Sequence, residues 1–470
     1  MLQLRTARAL RPATFLLVAA LCLPALARPA FADSRADLDA ALAAIKSGDL
    51  DAAEAAAGRV GDGDPWYAEA AFCKAWVLAK RGDAEHAATA YAKVVELQPQ
   101  NARAWNNYGV VLDDLGRFEE ALTAYDRCIA LDPKYAAAQN NRGVTLDKIG
   151  EGRRAAEAFH KAIEIDPQYA APHNNLGAWL YESGDVDAAS QSWARAASLD
   201  PSYVSPIVNR AVMEFEGDKP SVAEVRLENL VKAGRATADV WFNLGVFAYR
   251  RGLPEKALKC MEEADALRPH HPETLNNLGV LYLRSEDGGR RAERALRACI
   301  ELDPKMPKAW DNLGLTLYRD GRHAEAREAF EKEVELAPTD SFAHYNLGCA
   351  LAAEGREADA AAAFRKATEL EPGNVEALHN LAVLMSERPD RDAAQELALY
   401  RRVLSLDERY APVHLSLGRF YQSEPAYKDL QKAYDHYDRY VRLERHDLDT
   451  VAEITRVMKA IRLRLEAGEK

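Results

Sequence analysis

The sequence predicts an all-α array of repeated helical units, because one pattern of about 34 residues recurs along most of its length. Asparagine returns at a single phase, at intervals of 34 or 35 residues, at Asn107, Asn141, Asn175, Asn209, Asn243, Asn277, Asn312, Asn346 and Asn380. Proline forms a second series, at Pro65, Pro99, Pro133, Pro167, Pro201, Pro269, Pro304, Pro338 and Pro372. Since proline ends one helix and precedes the next, the two series divide the chain into similar units.

Each unit has room for two helices, and residues 102–135 show the pattern clearly. Their small and apolar residues fall on one face of each helix: Trp105, Tyr108, Gly109 and Leu112, then Ala121, Tyr125 and Cys128. A turn is expected between the two groups, at Gly116. The small residues should let the two helices approach closely, while the large aromatic ones fill the space between layers.

The order Trp, Leu-Gly, aliphatic, Ala, aromatic, Ala and Pro over 34 residues closely resembles the tetratricopeptide repeat family. The resemblance implies a right-handed superhelical solenoid in which the first helix of each unit lines a concave inner surface. We count about twelve helix-turn-helix units in residues 33–447, beginning near residues 34, 68, 102, 136, 170, 204, 238, 272, 307, 341, 375 and 411. Residues 448–470 are predicted to form a capping helix, because their apolar residues share one helical face.

Residues 1–32 do not follow the repeat and have the features of a cleavable export signal. Three arginines and no acidic residue precede an apolar run of about 15 residues, and small residues lead up to Ala32. An uncleaved anchor is the alternative, although the run is shorter than the roughly 20 residues that span a bilayer. A lipid anchor at Cys22 is disfavoured, since Leu21 before it is not small. The Ala-rich and Arg-rich composition is typical of bacteria, so we expect a periplasmic or secreted protein.

The asparagine series lies at position 6, counted from the first residue of each unit. On a helix, positions 2, 6, 9 and 13 share one face. A comparable asparagine ladder occurs in the repeat region of the O-linked N-acetylglucosamine transferase family, where it holds extended polypeptide. The resemblance therefore implies that all nine asparagines contact a peptide. The alternative is that these amides bond between neighbouring first helices and stiffen the stack.

Position 13 forms a second series on the same predicted face. Glu182 and Glu216 precede three arginines in successive units, Arg250, Arg284 and Arg319. Because arginine pairs well with carboxylates, these three residues are predicted to bind an acidic segment or a chain-terminal carboxylate. The alternative is that all of these side chains are solvated surface charges.

Features of other functional classes are not found in the sequence. The chain lacks a Gly-rich phosphate loop, an HExxH motif and a GxSxG motif, and it has no counterpart of the transferase family's catalytic domain. We therefore predict no enzyme activity, no cofactor, no metal site and no small-molecule substrate. The net charge of −12 and the absence of a dense basic run argue against nucleic acid.

We predict that the histidines and cysteines named below are packed between helices and have no catalytic or metal-binding role. His173, His344 and His414 lie at position 4, which is a packing position in this repeat. The cysteines that follow residue 32 form no CxxC pair, so buried free thiols are expected, with a bridge between Cys260 and Cys299 as the alternative.

The predicted function is a non-enzymatic scaffold that binds extended polypeptide or an assembly partner on its concave surface. Contact with a membrane is expected only through an associated assembly. The alternative is a structural protein that self-associates through its ends or its convex face and builds a homo-oligomer or an envelope assembly.

Overall fold

A computed structural model describes residues 32–284, 288–388 and 391–468 of the 470-residue chain. Within these residues it contains 25 α-helices and no β-strand. The all-α prediction is therefore confirmed. The predicted export signal lies almost entirely outside the described residues.

The helices form two compact bodies, and the first ends at Arg251. Its helices are α1 (Ala32–Ser47), α2 (Leu50–Gly58), α3 (Tyr67–Lys80), α4 (Ala84–Leu97), α5 (Ala102–Asp114), α6 (Phe118–Leu131), α7 (Ala136–Lys148), α8 (Gly152–Ile165), α9 (Ala170–Glu182), α10 (Val186–Leu199), α11 (Ser205–Glu216), α12 (Pro220–Lys232) and α13 (Ala238–Arg250). Consecutive helices pack as antiparallel pairs, and each first helix also contacts the first helix of the next pair.

The second body begins at Gly252. Its helices are α14 (Pro254–Leu267), α15 (Pro272–Tyr282), α16 (Gly288–Leu302), α17 (Pro307–Arg319), α18 (His323–Leu336), α19 (Ser341–Ala353), α20 (Glu357–Leu370), α21 (Val375–Ser386), α22 (Ala393–Leu406), α23 (Ala411–Ser423), α24 (Leu430–Leu443) and α25 (Leu448–Glu466). The final helix, α25, buries Ile454, Met458 and Ile461 in one cluster with Tyr437 and Tyr440 of α24.

Glycine and an aromatic residue set the close approach inside a pair. A Cβ atom added to Gly109 would lie 2.6 Å from the Tyr125 ring, and one added to Gly143 would lie 2.6 Å from the Phe159 ring. Any larger residue would force the two helices apart. A different requirement applies to Gly116 in the turn, because its φ of +73° is a left-handed conformation that favours glycine.

In several units the side chain at position 4 contacts the end of the preceding pair. The Trp105 indole donates a hydrogen bond to the Pro99 carbonyl at 3.0 Å, and Trp310 donates to Pro304 in the same way. A histidine replaces tryptophan in some units, and Nε2 of His344 lies 3.1 Å from the Pro338 carbonyl. This position therefore satisfies a carbonyl in the proline-containing turn between units.

Candidate functional site

The candidate site is the face of the first helices that carries positions 2, 6, 9 and 13, hereafter the first-helix face. Helix α17 shows its layout: Lys308, Leu315 and Arg319 are exposed, and Asn312 between them is half-buried. These four residues are spaced by four, three and four positions and so form one stripe along the helix. The ends of the stripe reach solvent, while position 6 lies nearer the neighbouring helices.

In the first body the position 6 amides form a directional chain of hydrogen bonds with the asparagines at position 5. Three position 6 amides donate to the position 5 oxygen one unit earlier: Asn209 to Asn174 at 3.1 Å, Asn175 to Asn140 at 3.0 Å and Asn141 to Asn106 at 3.0 Å. Each position 5 amide donates to its own neighbour: Asn174 to Asn175 at 3.4 Å, Asn140 to Asn141 at 3.4 Å and Asn106 to Asn107 at 3.2 Å. The chain ends where Asn107 donates to the Tyr91 hydroxyl at 3.2 Å. Hereafter these residues are called the amide chain.

The second body repeats the inter-unit bonds. Asn312 donates to Asn276 at 2.9 Å, and Asn346 donates to the Asp311 carboxylate at 3.0 Å. In both cases the acceptor is the side chain at position 5 of the preceding unit. Both bodies therefore use the same contact between successive first helices.

The hydrogen-bond partner of each position 6 asparagine depends on the residue at position 5 of the preceding unit. Where position 5 is the apolar Val208, Asn243 turns back to the carbonyl of Asp239 in its own helix, at 2.8 Å. Where position 5 is Tyr345, Asn380 lies 3.8 Å from the Cys349 sulfur instead. The inter-unit bond thus requires an amide or carboxylate at position 5.

Burial divides the nine predicted peptide-binding asparagines into two groups. Five are buried, with at most 5% of their surface exposed: Asn107, Asn141, Asn209, Asn243 and Asn277. Four are half-buried: Asn175, Asn312, Asn346 and Asn380. The buried amides offer almost no surface to a ligand, so the geometry favours the stacking alternative for them. The four half-buried amides keep surface on the first-helix face.

Sequence reasoning missed the partners at position 5. Asn106, Asn140 and Asn174 are as buried as the series that was singled out, and each accepts a bond from the next unit. The signal was present in the doublet "NN", which recurs in these units. In such a doublet the position 5 amide donates to its position 6 neighbour and accepts from the next unit, so it links the two units.

The predicted charges at position 13 are exposed in every case. Arg250, at the end of α13, lies with its guanidinium 6.0 Å from the centre of the Phe215 ring. In the same body, Glu216 accepts a hydrogen bond from the Tyr181 hydroxyl at 2.6 Å. Arg284 and Arg319 are exposed in the second body. Exposure leaves these side chains accessible to an acidic partner, and it equally fits solvated surface charges.

Two carboxyl groups lie within the α17–α18 pair, Asp311 at position 5 of α17 and Glu333 on α18. Burial, together with the nearby carboxylate of Asp340, raises the pKa of Asp311 to about 6. Burial also raises the pKa of Glu333 on α18 to about 8, with further contributions from Asp311 and Asp340. Oε2 of Glu333 is buried and has no hydrogen-bond partner among the described residues. Glu333 therefore holds a proton near neutral pH.

The remaining sequence-based assignments concern cysteines, metals and membranes. All five cysteines in the described ranges are free, so Cys260 and Cys299 form no bridge. Over the same residues, no group of three or more His, Cys, Asp or Glu side chains is arranged to hold a metal ion. None of the described helices is long and apolar enough to cross a bilayer.

Comparison with known families identifies the repeat. A tetratricopeptide repeat model matches residues 38–102, 74–136, 109–170, 140–204, 214–272 and 276–341, and a second tetratricopeptide repeat model matches residues 341–374. The matches cover more than half of the chain. The chain belongs to the tetratricopeptide repeat family. Proteins of this family bind other proteins, which agrees with the general functional class predicted from the sequence.

Similar curated proteins share only part of their length with this tetratricopeptide repeat chain. The heat-shock protein cognate co-chaperone sgt12 of Aspergillus fumigatus is 34% identical over 103 residues, which is 22% of this chain and 30% of that protein. The photosystem I assembly protein Ycf3 of Prochlorococcus marinus is 29% identical over 100 residues, 21% of this chain and 57% of that protein. In both cases the chain spans less than two thirds of the relative.

Two solved structures align with parts of this chain. A tetratricopeptide repeat protein from Parabacteroides merdae aligns over 53% of this chain and 98% of its own, with 17% identity and a TM-score of 0.47. MamA from Desulfovibrio magneticus aligns over 37% and 96%, with 24% identity and a TM-score of 0.34. Both scores are below 0.5, so the family assignment rests on the sequence models.

Replacing Asn140 with alanine should destabilise the first body. The change removes the acceptor for Asn175 and leaves the buried oxygen of Asn141 without its donor, at a cost of roughly 1–3 kcal/mol. Guanidinium unfolding followed by circular dichroism measures this. The control is Gln139→Ala, because the half-buried Gln139 side chain makes no hydrogen bond within the described residues. Equal midpoints for the two variants would show that the amide chain contributes nothing to stability.

Replacing Glu333 with glutamine should stabilise the chain at alkaline pH. The folded state holds the Glu333 proton up to about pH 8, whereas an unperturbed glutamate releases it near 4.5. The folded state therefore binds more protons across this range, and the free energy of unfolding falls as pH rises from 4.5 to 8. Glu333→Gln should remove that part of the fall and add roughly 1–3 kcal/mol at pH 8.5.

The measurement is the free energy of unfolding of wild type and variant across this pH range. Glu335→Gln on the same helix is the control, because Glu335 is exposed and pairs with Lys332 at 2.7 Å. A Glu333→Gln variant whose pH dependence matches that of wild type would contradict the buried, protonated state.

Proposed function

We propose that this tetratricopeptide repeat chain is a non-enzymatic scaffold that binds extended polypeptide on its first-helix face. The observation that carries the proposal is the exposure of that face in the second body. Leu315 is 38% exposed and Phe342 is 56% exposed, although both are large apolar side chains on first helices. Half-buried amides at Asn312, Asn346 and Asn380 accompany them. Apolar contacts beside amide donors suit a polypeptide backbone and its side chains.

The proposal changes the role of the asparagine ladder. The five buried amides shape the stack, and the ligand meets the four half-buried amides and the residues at positions 2, 9 and 13. Binding is then only partly independent of ligand sequence, since positions 2, 9 and 13 differ from unit to unit. Such a scaffold recognises a few side chains of its ligand and otherwise binds the ligand's backbone.

The similar proteins support a partner that is itself a protein. One is named as a co-chaperone and another as an assembly protein for photosystem I. Both names describe work on other proteins. We extend this to the present chain as the proposed class of partner, while the particular co-chaperone and photosystem roles stay with those proteins.

We further propose that the chain is exported to the periplasm or the cell exterior, on the basis of the basic and apolar features of residues 1–32. Fractionation of the producing cell followed by amino-terminal sequencing tests this. The expected mature protein begins at Asp33 in the exported fraction. A protein found only in the cytoplasm with its first residues retained would overturn the proposed export.

Polypeptide binding is tested with the variant Leu315→Ser/Phe342→Ser on an array of 12-residue peptides of random sequence. Both side chains are exposed, so folding should be unaffected, and the summed fluorescence of bound protein should fall roughly tenfold. The matched control is Val222→Ser/Val225→Ser, because these valines of α12 are 48% and 54% exposed but lie on a second helix.

The same pair of variants separates the two functional classes. Self-association is the alternative, and it is measured by light scattering after gel filtration. If Leu315→Ser/Phe342→Ser lowers the oligomer mass and leaves the peptide signal at the wild-type level, the face joins copies of the chain. The proposed polypeptide binding would then be wrong.

A further inference from the structure

Three successive first helices of the second body present stripes of different chemistry at equivalent positions. The stripe of α17 has basic ends: Lys308 at position 2 and Arg319 at position 13 are both exposed. The stripe of α21 has acidic ends: Glu376 at position 2 and Glu387 at position 13, the latter at the C-terminal cap, are also exposed. Charge sign therefore reverses between two helices that occupy corresponding places in the repeat.

The helix between them, α19, is uncharged at every position of its stripe. Its residues at positions 2, 6, 9 and 13 are Phe342, Asn346, Cys349 and Ala353. Phe342 is the most exposed large apolar side chain of the three first helices. The order across the face is thus basic, apolar and acidic, and it is the same at the position 2 edge and at the position 13 edge.

Hydrogen bonds join the three stripes into one surface. Asn346 of α19 donates to Asp311 of α17 at 3.0 Å, and Asn380 of α21 lies 3.8 Å from the Cys349 sulfur of α19. Leu381 of α21 and Leu351 of α19 belong to one buried cluster beneath the surface. The relative placement of the stripes is therefore set by packing and by contacts of the position 6 amides.

The exposed charges on this surface are available to a partner. Arg319, Glu376 and Glu387 form no ion pair with another residue in the described part of the chain. The ends of one stripe lie about 16 Å apart, since eleven residues separate them at about 1.5 Å each. An opposite charge brought by a ligand would therefore meet either Lys308 or Arg319 on α17, and either Glu376 or Glu387 on α21.

We propose that the surface formed by α17, α19 and α21 binds an extended segment that carries an acidic, an apolar and a basic side chain in that order. This inference rests on the polypeptide-binding function proposed above and adds the chemistry of the ligand. The acidic side chain pairs with the basic stripe of α17, the apolar one packs on Phe342 and Leu315, and the basic one pairs with the acidic stripe of α21.

Geometry gives the spacing of these three side chains. Neighbouring packed helices lie roughly 10 Å apart, and an extended chain advances about 3.3 Å per residue. Three residues of extended chain therefore match one step of the repeat. The recognised side chains should be three residues apart, which gives the pattern acidic-x-x-apolar-x-x-basic for a segment that runs from α17 to α21.

A second copy of the chain is the competing occupant, because a basic, apolar and acidic order is self-complementary about a twofold axis through α19. Stable interfaces between subunits bury roughly 1,200–2,000 Å² and have an apolar core. Leu315 and Phe342 are the only exposed large apolar side chains in the described stripes of these helices. Two such side chains form too small an apolar patch for the core of a subunit interface, but they can contact one apolar side chain of a peptide.

The test uses three fluorescein-labelled nine-residue peptides with blocked carboxyl ends, and it measures their anisotropy with the full chain at low salt. The first, GDGSLGSKG, has the proposed order, and GDGSLGSDG and GKGSLGSKG each change one charge. The first should bind roughly fivefold more tightly than either of the others, because each loses one exposed ion pair and gains a repulsion.

A charge reversal in the protein should reverse the preference. In Lys308→Glu/Arg319→Glu the α17 stripe becomes acidic, so GKGSLGSKG should now bind roughly fivefold more tightly than GDGSLGSKG. The matched control is Arg365→Glu/Arg401→Glu, which makes the same change of net charge on the second helices α20 and α22. The control variant should keep the wild-type order of affinities.

Each other outcome overturns the inference. If all three peptides bind equally well, the charge order is wrong while polypeptide binding stands. If none of them binds, the surface does not take peptides, and polypeptide binding at these units falls as well. If Lys308→Glu/Arg319→Glu alters the oligomer mass and leaves the peptide preference unchanged, the occupant is a second copy of the chain.

Discussion

The hydrogen bond between position 6 of one unit and position 5 of the unit before it is the contact on which this array depends. Asparagine is costly to bury, because an unpaired amide loses its bonds to water. In the amide chain each interior oxygen receives a bond from a neighbouring amide, so the cost is largely offset. Burial in turn excludes water from these bonds and makes their geometry more demanding. Successive first helices are thereby held in one register.

This contact also determines which residues are left for a ligand. Buried amides such as Asn141 and Asn209 bond to the neighbouring unit, so they contribute shape and stiffness. Positions 2, 9 and 13 point away from that contact and differ between units, as Lys308, Phe342 and Glu376 show. A repeat can therefore conserve its stacking chemistry and still present a different surface at each step. Selectivity arises from the variable positions.

The array tolerates departures from this rule at a local cost. At α13, Asn243 lacks a polar position 5 partner in the preceding unit and bonds to its own helix. At α17 the position 5 residue is Asp311, and the buried carboxyl of Glu333 lies nearby with a raised pKa. A protonated carboxyl can occupy the place of a neutral residue, so the stack remains continuous while its stability acquires a pH dependence.

Periodicity alone determined the helix pairs, the glycine and aromatic packing and the phase of the asparagines. These features depend on residues within one unit, and a 34-residue pattern displays them directly. Only the tertiary structure decided where the amides point, because the partner of Asn175 is Asn140, 35 residues earlier on another helix. A rotation of 100° per residue predicts on which side of its helix a residue lies. It does not predict which residues of other helices that side contacts. The charge order across α17, α19 and α21 likewise required knowing which first helices lie side by side.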